Sequence, residues 1–570
     1  MHWTVRGGLG LASGAERQIA GCSLLGHTLR RAARIEGIAA IVLICPDGVD
    51  LRGAVDGLEL ALPLKVHPVK REKVIDRFAQ CRWTARRWSA ASWRGGPGGA
   101  CIFDELLPAQ PLLEGLDAAG AGSAIVLGAD WPLLDPALCS RILAQHRENP
   151  EAFAMTFSQA PPGLAGVAVG RTVLADLAAH PGTSFGAMLS YRPQRPQADP
   201  VGKDVCIGIN PQVRQAAWRF VGDCPRGIRL LEAIAAREGG VPEGLAAEAV
   251  AAAAVEVAGD GALDELPNHI TLELTPQRRA SGPATPQYHC TIERPPISVQ
   301  LARSLIEQVA ACGDVTLTLG GLGDALLHPQ WAAIVDEARR AGVFSIALET
   351  DLLEDDDQLA ARLLDSGADV IVPRVNADTA ATYREVMGVD AFDRVTRHME
   401  NLINIRNRRA AHQPEVPADV PWIIPKMVRC ARTLGEIELF FDRWLTYAGH
   451  AVIEPEPRPD EHLSASQDAP ALRGGLVHIT PPPGVLRHRW LSTMTIHSDG
   501  TVPSFNEDWL GRDAAGSAAA QPLASLWHTA HQARMRRLAE LEAGPAAAGL
   551  LSGDMEWSPG RPSPAMVTDR

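Results

Sequence analysis

Four stretches carry residue types that could do chemistry. In Val315–Pro329 an apolar, β-rich run (Val315–Leu319) meets Gly320-Gly321-Leu322-Gly323-Asp324, and Pro329 stands where a helix should start. Strand, glycine turn and helix in that order put a carboxylate and bare backbone at the carboxyl end of a parallel strand, where a ligand can approach closely. An ordinary βα turn has the same look. Ser123–Leu127 likewise runs into Gly128-Ala129-Asp130-Trp131-Pro132. Asp130 there is a candidate Mg²⁺ ligand, because Mg²⁺ is a hard ion that prefers carboxylate and phosphate oxygens. A helix cap or a solvated turn is the alternative role. Gly7, Gly8 and Gly10 form a third, glycine-rich turn whose N–H groups could cradle phosphate. The fourth interleaves arginine with tryptophan (Arg82-Trp83, Arg86-Arg87-Trp88) ahead of Trp93-Arg94-Gly95-Gly96. Arg94, Gly95 and Gly96 could clamp a nucleotide while the indoles stack on a base. Equally, this is a helix that buries its tryptophans, followed by a loop.

The elements that must position these residues alternate between strand and helix along the chain. The 570 residues exceed what a single core supports, so several domains are expected. With 54 basic against 67 acidic side chains the net charge is −13, which argues against nucleic acid as a partner. Met1–Gln18 lacks a secretory pattern, and the apolar run Ile38–Cys45 is far short of the roughly 18 residues that span a bilayer. A cytoplasmic chain without membrane partners is therefore expected. Its ten cysteines are scattered without a Cys-x-x-Cys pair, as reduced thiols are.

Ile38–Ile44 and Ser123–Leu127 predict buried strands of a doubly wound parallel sheet over residues 1–255. Gly259-Asp260-Gly261 and Pro267 mark a linker. Beyond it, residues 266–460 repeat βα units of barrel-forming length, with Trp331, Ile334, Val335 and Ala338 on one helix face. Met494–Pro503 predicts a hairpin about its Asp-Gly turn, within a small domain at 485–543. Residues 455–483 have the composition of a linker, and 544–570 that of a disordered tail.

Pro267–Thr275, the Gly320-Gly321-x-Gly323-Asp324 turn and Leu326–Pro329 together resemble the radical S-adenosylmethionine (SAM) superfamily. The resemblance implies a partial or full TIM-type barrel. It also implies that the turn (Gly320, Gly321, Gly323, Asp324) contacts the amino group of SAM, and that a three-cysteine loop holds a [4Fe-4S] cluster. Here the cluster positions fall on Arg278, Gly282 and Thr285, none of which offers a thiolate. Thr350-Asp351-Leu352 stands where the family often has Thr-Asn-Gly. Met494–Pro503, Asp508, Gly511 and Leu523–Trp527 resemble the SPASM domain, again with Phe505 in place of a cysteine. Gly21–Ala33 with Ser123–Pro136 resembles nucleotidyltransferases and A-type glycosyltransferases that handle sugar nucleotides, where an aspartate placed like Asp130 holds Mg²⁺. In chain order, nucleotidyltransferase-like, radical-SAM-like and SPASM-like, the three segments are similar to spiro-SPASM proteins.

These resemblances imply a nucleotide- or sugar-nucleotide-binding protein whose barrel recognises a further substrate, a peptide or protein being one candidate. Weak SAM binding and lost radical chemistry are expected. A non-catalytic scaffold is the alternative, and a radical SAM enzyme with unconventional ligands a second one. Whether the first domain retains nucleotidyl or glycosyl transfer is left open by the sequence. Reconstituted without air with iron and sulfide, the purified chain should show no stoichiometric [4Fe-4S] absorption; a stable cluster would reinstate the radical enzyme.

Overall fold

A computed structural model describes residues 13–48, 52–55, 57–70, 76–92, 94–95, 109–148, 154–180, 193–194, 204–214, 216, 218–259, 263–413, 419–455 and 490–543. Gly7, Gly8, Gly10 and Gly96, most of the 455–483 segment and the 544–570 tail lie outside the described residues. The chain forms two compact units. The first comprises residues 1–83, 97–264 and 413–419; the second comprises 84–96, 265–412 and 420–570. Neither follows the simple division of the chain at its middle, because residues 84–96 belong with the second unit.

In the first unit, Ile41–Pro46 pairs in parallel with Leu64–Val69. A four-stranded sheet carries Ser123–Val126, Val167–Gly170, Met155–Ser158 and Cys206–Ile207 in that order. It corrects the expectation of a doubly wound parallel sheet, since Val167–Gly170 runs antiparallel to both of its neighbours. The physical reason is the short connection between Ser158 and Val167. A parallel crossover needs a dozen or more residues, so the chain must turn back.

The second unit is built on parallel strands: β1 (His269–Leu272), β2 (Thr316–Leu319), β3 (Ser345–Thr350), β4 (Val370–Pro373), β5 (Trp422–Ile423), β6 (Lys426–Arg429), β7 (Val452–Pro455) and β8 (Thr493–Ile496). Six of them order as β5-β4-β3-β2-β1-β8. Pro425, which has no N–H to donate, separates β5 from β6. The ladder resumes as β6-β7, bridged to the first sheet by Arg374 opposite Lys426. Arg94–Gly95 then adds an antiparallel edge to β7. The described strands thus form a parallel series whose two ends, β8 and the Arg94–Gly95 edge, are not paired with each other.

Every residue of β2, β3 and β4 is buried, as expected of strands covered on both faces. Helix α1 (Trp331–Arg340) buries Trp331, Ile334, Val335 and Ala338, the face the 3.6-residue period predicts. Strand β8 corrects the hairpin expectation: Thr493–Ile496 pairs in parallel with β1, and Thr501–Pro503 pairs instead with Ala514–Ser517. The Asp-Gly turn is present, with Gly500 at φ 88°, but an apolar strand beside an open parallel edge buries more by extending the main sheet.

The Arg/Trp segment is helix Asp76–Trp88, with Trp83 and Trp88 buried. Two of its arginines do not reach for water, because Arg82 and Arg86 are buried too, while Arg77 and Arg87 are half-buried. The turn from Thr84 to Trp88 lies on the sheet face that carries Ser345, Ala347 and Glu349. Thr84 Oγ1 and Ser345 Oγ are 2.7 Å apart, and Ala85 and Trp88 pack with Ala347, Val370, Val372, Ile424 and Val452.

Candidate functional sites

Two constellations emerge, one in each unit. In the first, Asp130 stands just past Ser123–Val126 and is buried, with Oδ2 accepting from Ser13 Oγ at 3.0 Å. The helix-capping role that competed for Asp130 falls to Asp135. Its Oδ1 accepts from Ala137 N at 2.8 Å and Leu138 N at 3.0 Å, and its Oδ2 from Ala247 N at 2.8 Å. The backbone carbonyl of Asp130 accepts Gly222 N–H at 3.0 Å, which brings Asp223 beside it. Asp223 is buried and held bidentately by Arg219 at 2.7 and 2.8 Å.

Burial first and the Asp223 charge second push Asp130 up to about 7, against the opposing Ser13 hydrogen bond and Arg219. The sequence reading missed Asp223. Its signal was available: a buried Phe220-Val221 pair, then Gly222-Asp223 and a helix opening at Pro225, echoing the apolar run that leads into Gly128-Ala129-Asp130. No group of three or more His, Cys, Asp or Glu arranged to hold a metal occurs among the described residues.

In the second unit the carboxyl ends of β2, β3 and β4 and the first residue of β6, Lys426, gather a buried charge network. Asp324 caps the 3₁₀ turn Ala325–Leu327, accepting from Leu326 N at 3.1 Å. Its other oxygen accepts from Thr350 Oγ1 at 3.3 Å and Asp351 N at 3.0 Å. Burial and the neighbouring Asp351 raise Asp324 to about 6, with Arg374 opposing. Asp351 takes a two-point ion pair from Arg278 at 2.9 and 2.5 Å, both side chains nearly inaccessible.

Arg374 donates to the carbonyls of Gly323 at 2.8 Å and Gly321 at 2.9 Å, and to Glu349 at 2.6 Å. Glu349 also accepts Trp88 Nε1–H at 2.9 Å, with Lys426 Nζ at 3.5 Å from Glu349 and 2.7 Å from Glu454. Burial alone would push Glu349 up, but Lys426 and Arg374 hold it well below the usual carboxylate range. Glu349, Arg374 and Lys426 were also missed, although each is a charge in or directly beside a mostly apolar run.

The remaining expected residues fall as follows. Gly321 has φ 81°, and a Cβ on Gly323 would lie 1.7 Å from the Thr275 carbonyl, so both positions require glycine. A Cβ on Gly320 would meet Glu349 at 2.7 Å. Arg94 and Gly95 belong to the second unit, where they form the edge strand beside β7, and Arg94 pairs with Glu438 at 2.5 Å over the Phe441 ring. Gly282 donates to Met387 O at 2.9 Å, Thr285 Oγ1 donates to Gly282 O at 2.8 Å, and Phe505 packs edge-on against Trp490.

No protein-family model matches the chain, and no curated protein does. Solved structures do. BtrN in complex with AdoMet and 2-DOIA aligns over 48% of this chain and 87% of its own at 13% identity and TM-score 0.30. Streptococcus suis SuiB bound to precursor peptide SuiA aligns over 49% and 69% at 12% identity and TM-score 0.33. Both are radical SAM/SPASM-type enzymes. A cytidylyltransferase from Leptospira borgpetersenii aligns over 43% of this chain and 87% of its own, at 11% identity and TM-score 0.28. At such values the chain's chemistry has to be argued from its own residues.

The raised Asp130 generates a pH prediction. The folded protein holds this proton more tightly than the unfolded chain. Its contribution to stability is therefore full below the unfolded value and is lost as pH rises toward about 7. In Mg²⁺-free buffer, Asp130→Asn should raise Tm at about pH 8, with the advantage vanishing near pH 4. A destabilised Asn variant at the higher pH would contradict it.

Proposed function

We propose that the protein binds a nucleotide or sugar nucleotide through its first unit, and that its second unit has given up [4Fe-4S] radical chemistry while keeping a substrate-recognition scaffold. The observation that carries the nucleotide reading is the buried Asp130–Asp223 pair. Two carboxylates buried side by side, one of them just past a strand end and held by a neutral hydroxyl, are an arrangement that function, rather than stability, explains. The donor set is all hard oxygen, from Asp130, Asp223 and Ser13, and fits Mg²⁺, which takes one or two carboxylates and completes its shell with water and substrate phosphate. Bound there, Mg²⁺ would supply charge neutralisation for the phosphates. Asp130 would hold it, Ser13 would orient the carboxylate, and Arg219 would fix Asp223. Nucleotidyl or glycosyl transfer at this site is the matching enzyme activity.

The loss of radical chemistry is supported by the residues at the three cluster positions. Arg278 is a cation committed to Asp351, Gly282 has no side chain, and the Thr285 hydroxyl bonds within its own turn. These groups do not fit an iron–sulfur cluster, and no step is assigned to one. The scaffold alternative draws on Arg219, whose clamp on Asp223 already neutralises one of the two carboxylates.

Nucleoside triphosphates and sugar nucleotides titrated into the full chain, with and without Mg²⁺, test the proposal. A ligand at a hundred times its Kd should add about 2.7 kcal/mol to the unit that binds it. Asp130→Ala should abolish the Mg²⁺-dependent part. If no nucleotide shifts the melting of the intact protein, the scaffold reading takes its place.

A further inference from the structure

The chemistry of the second unit is concentrated where Gly321, Gly323 and Glu349 converge. Two backbone carbonyls and one carboxylate oxygen point at a common place, with Asp351 a further 3.7 Å from the guanidinium that fills it. Acceptors without donors define a cation hole. Its occupant is Arg374, side chain 3% exposed, reaching in from the end of β4. Opposite, the Thr84–Trp88 turn covers the same face and ties Trp88 Nε1 to the same Glu349.

We infer that the second unit is liganded from within: Arg374 is a tethered cation seated in a ready-made site for a small ammonium or guanidinium group, with Trp88 closing the sheet face above Glu349. No amine-bearing ligand can use these acceptors while Arg374 holds them. The contact is therefore autoinhibitory, and ligand entry requires Arg374 to leave. Three features make the hole selective for positive charge. The Gly321 and Gly323 carbonyls are held in place by backbone that tolerates no side chain, Lys426 is already shared between Glu349 and Glu454, and removing Arg374 leaves Glu349 with that shared ammonium as its counter-charge. The inference does not depend on nucleotide binding by the first unit.

The test is made on the full-length protein. Arg374→Ala should melt several degrees below wild type, and low-millimolar guanidinium chloride should restore much of the loss. Urea, neutral and equally sized, should not, nor should sodium chloride at the same ionic strength. Wild type should respond to none of the three at that concentration. A variant stabilised equally by urea and guanidinium, or by neither, would overturn the proposal. A second measurement stands even where the variant fails to fold. S-adenosylmethionine titrated calorimetrically into wild type should give no saturable heat, whereas saturable binding would show that Arg374 does not block the site.

Discussion

Burying carboxylates at the rim of a parallel sheet costs solvation that only directed partners restore, and the second unit is arranged around that requirement. Glu273, Glu349, Asp324 and Asp351 are all buried at or just past strand ends. Each has its own partners: Arg294 for Glu273, Arg374 and Lys426 for Glu349, Arg278 for Asp351, and backbone N–H groups for Asp324. Pairs of this kind add little net stability over apolar replacements, yet removing one partner costs about 3–5 kcal/mol because the other charge is stranded. The network therefore fixes one arrangement of the glycine turn, the β3 rim and the loop that carries Arg278.

The two constellations differ in how fully they are satisfied. Around Asp351 and Glu349 the counter-charges are internal, so the rim is electrostatically closed. Around Asp130 the direct side-chain partner is the neutral Ser13 hydroxyl, while Arg219 is engaged with Asp223. A carboxylate kept buried beside another carboxylate invites an external cation. This contrast makes the first unit the better candidate for ligand chemistry and the second the better candidate for a scaffold.

The sequence showed much of the backbone and little of the pairing. Alternating apolar runs and helical periods gave the βα series from β2 through β7, because burial of Val315–Leu319 and of the Trp331 helix face is a local, periodic signal. The Gly320–Asp324 turn was legible for the same reason: three glycines and a cap residue constrain one loop. Arg374, Glu349 and Lys426 escaped notice because they lie on separate strands, and only the parallel register brings them together. The antiparallel placement of Val167–Gly170 depended on a loop too short for a crossover, a length signal that residue types alone do not carry. Least legible was the transfer of Thr84–Gly96 to the second unit. Tryptophan next to arginine describes a helix that buries something, and the partner surface lies more than two hundred residues away.

The most direct measurement is a double-mutant cycle on Arg278 and Asp351, the most deeply buried two-point pair of the rim. The single variants Arg278→Met and Asp351→Leu should each lose roughly 3–5 kcal/mol in denaturant unfolding. The double variant should recover much of that loss, giving a coupling well above about 0.5 kcal/mol. Losses that simply add would contradict the claim that mutual charge pairing, rather than shape alone, fixes this rim.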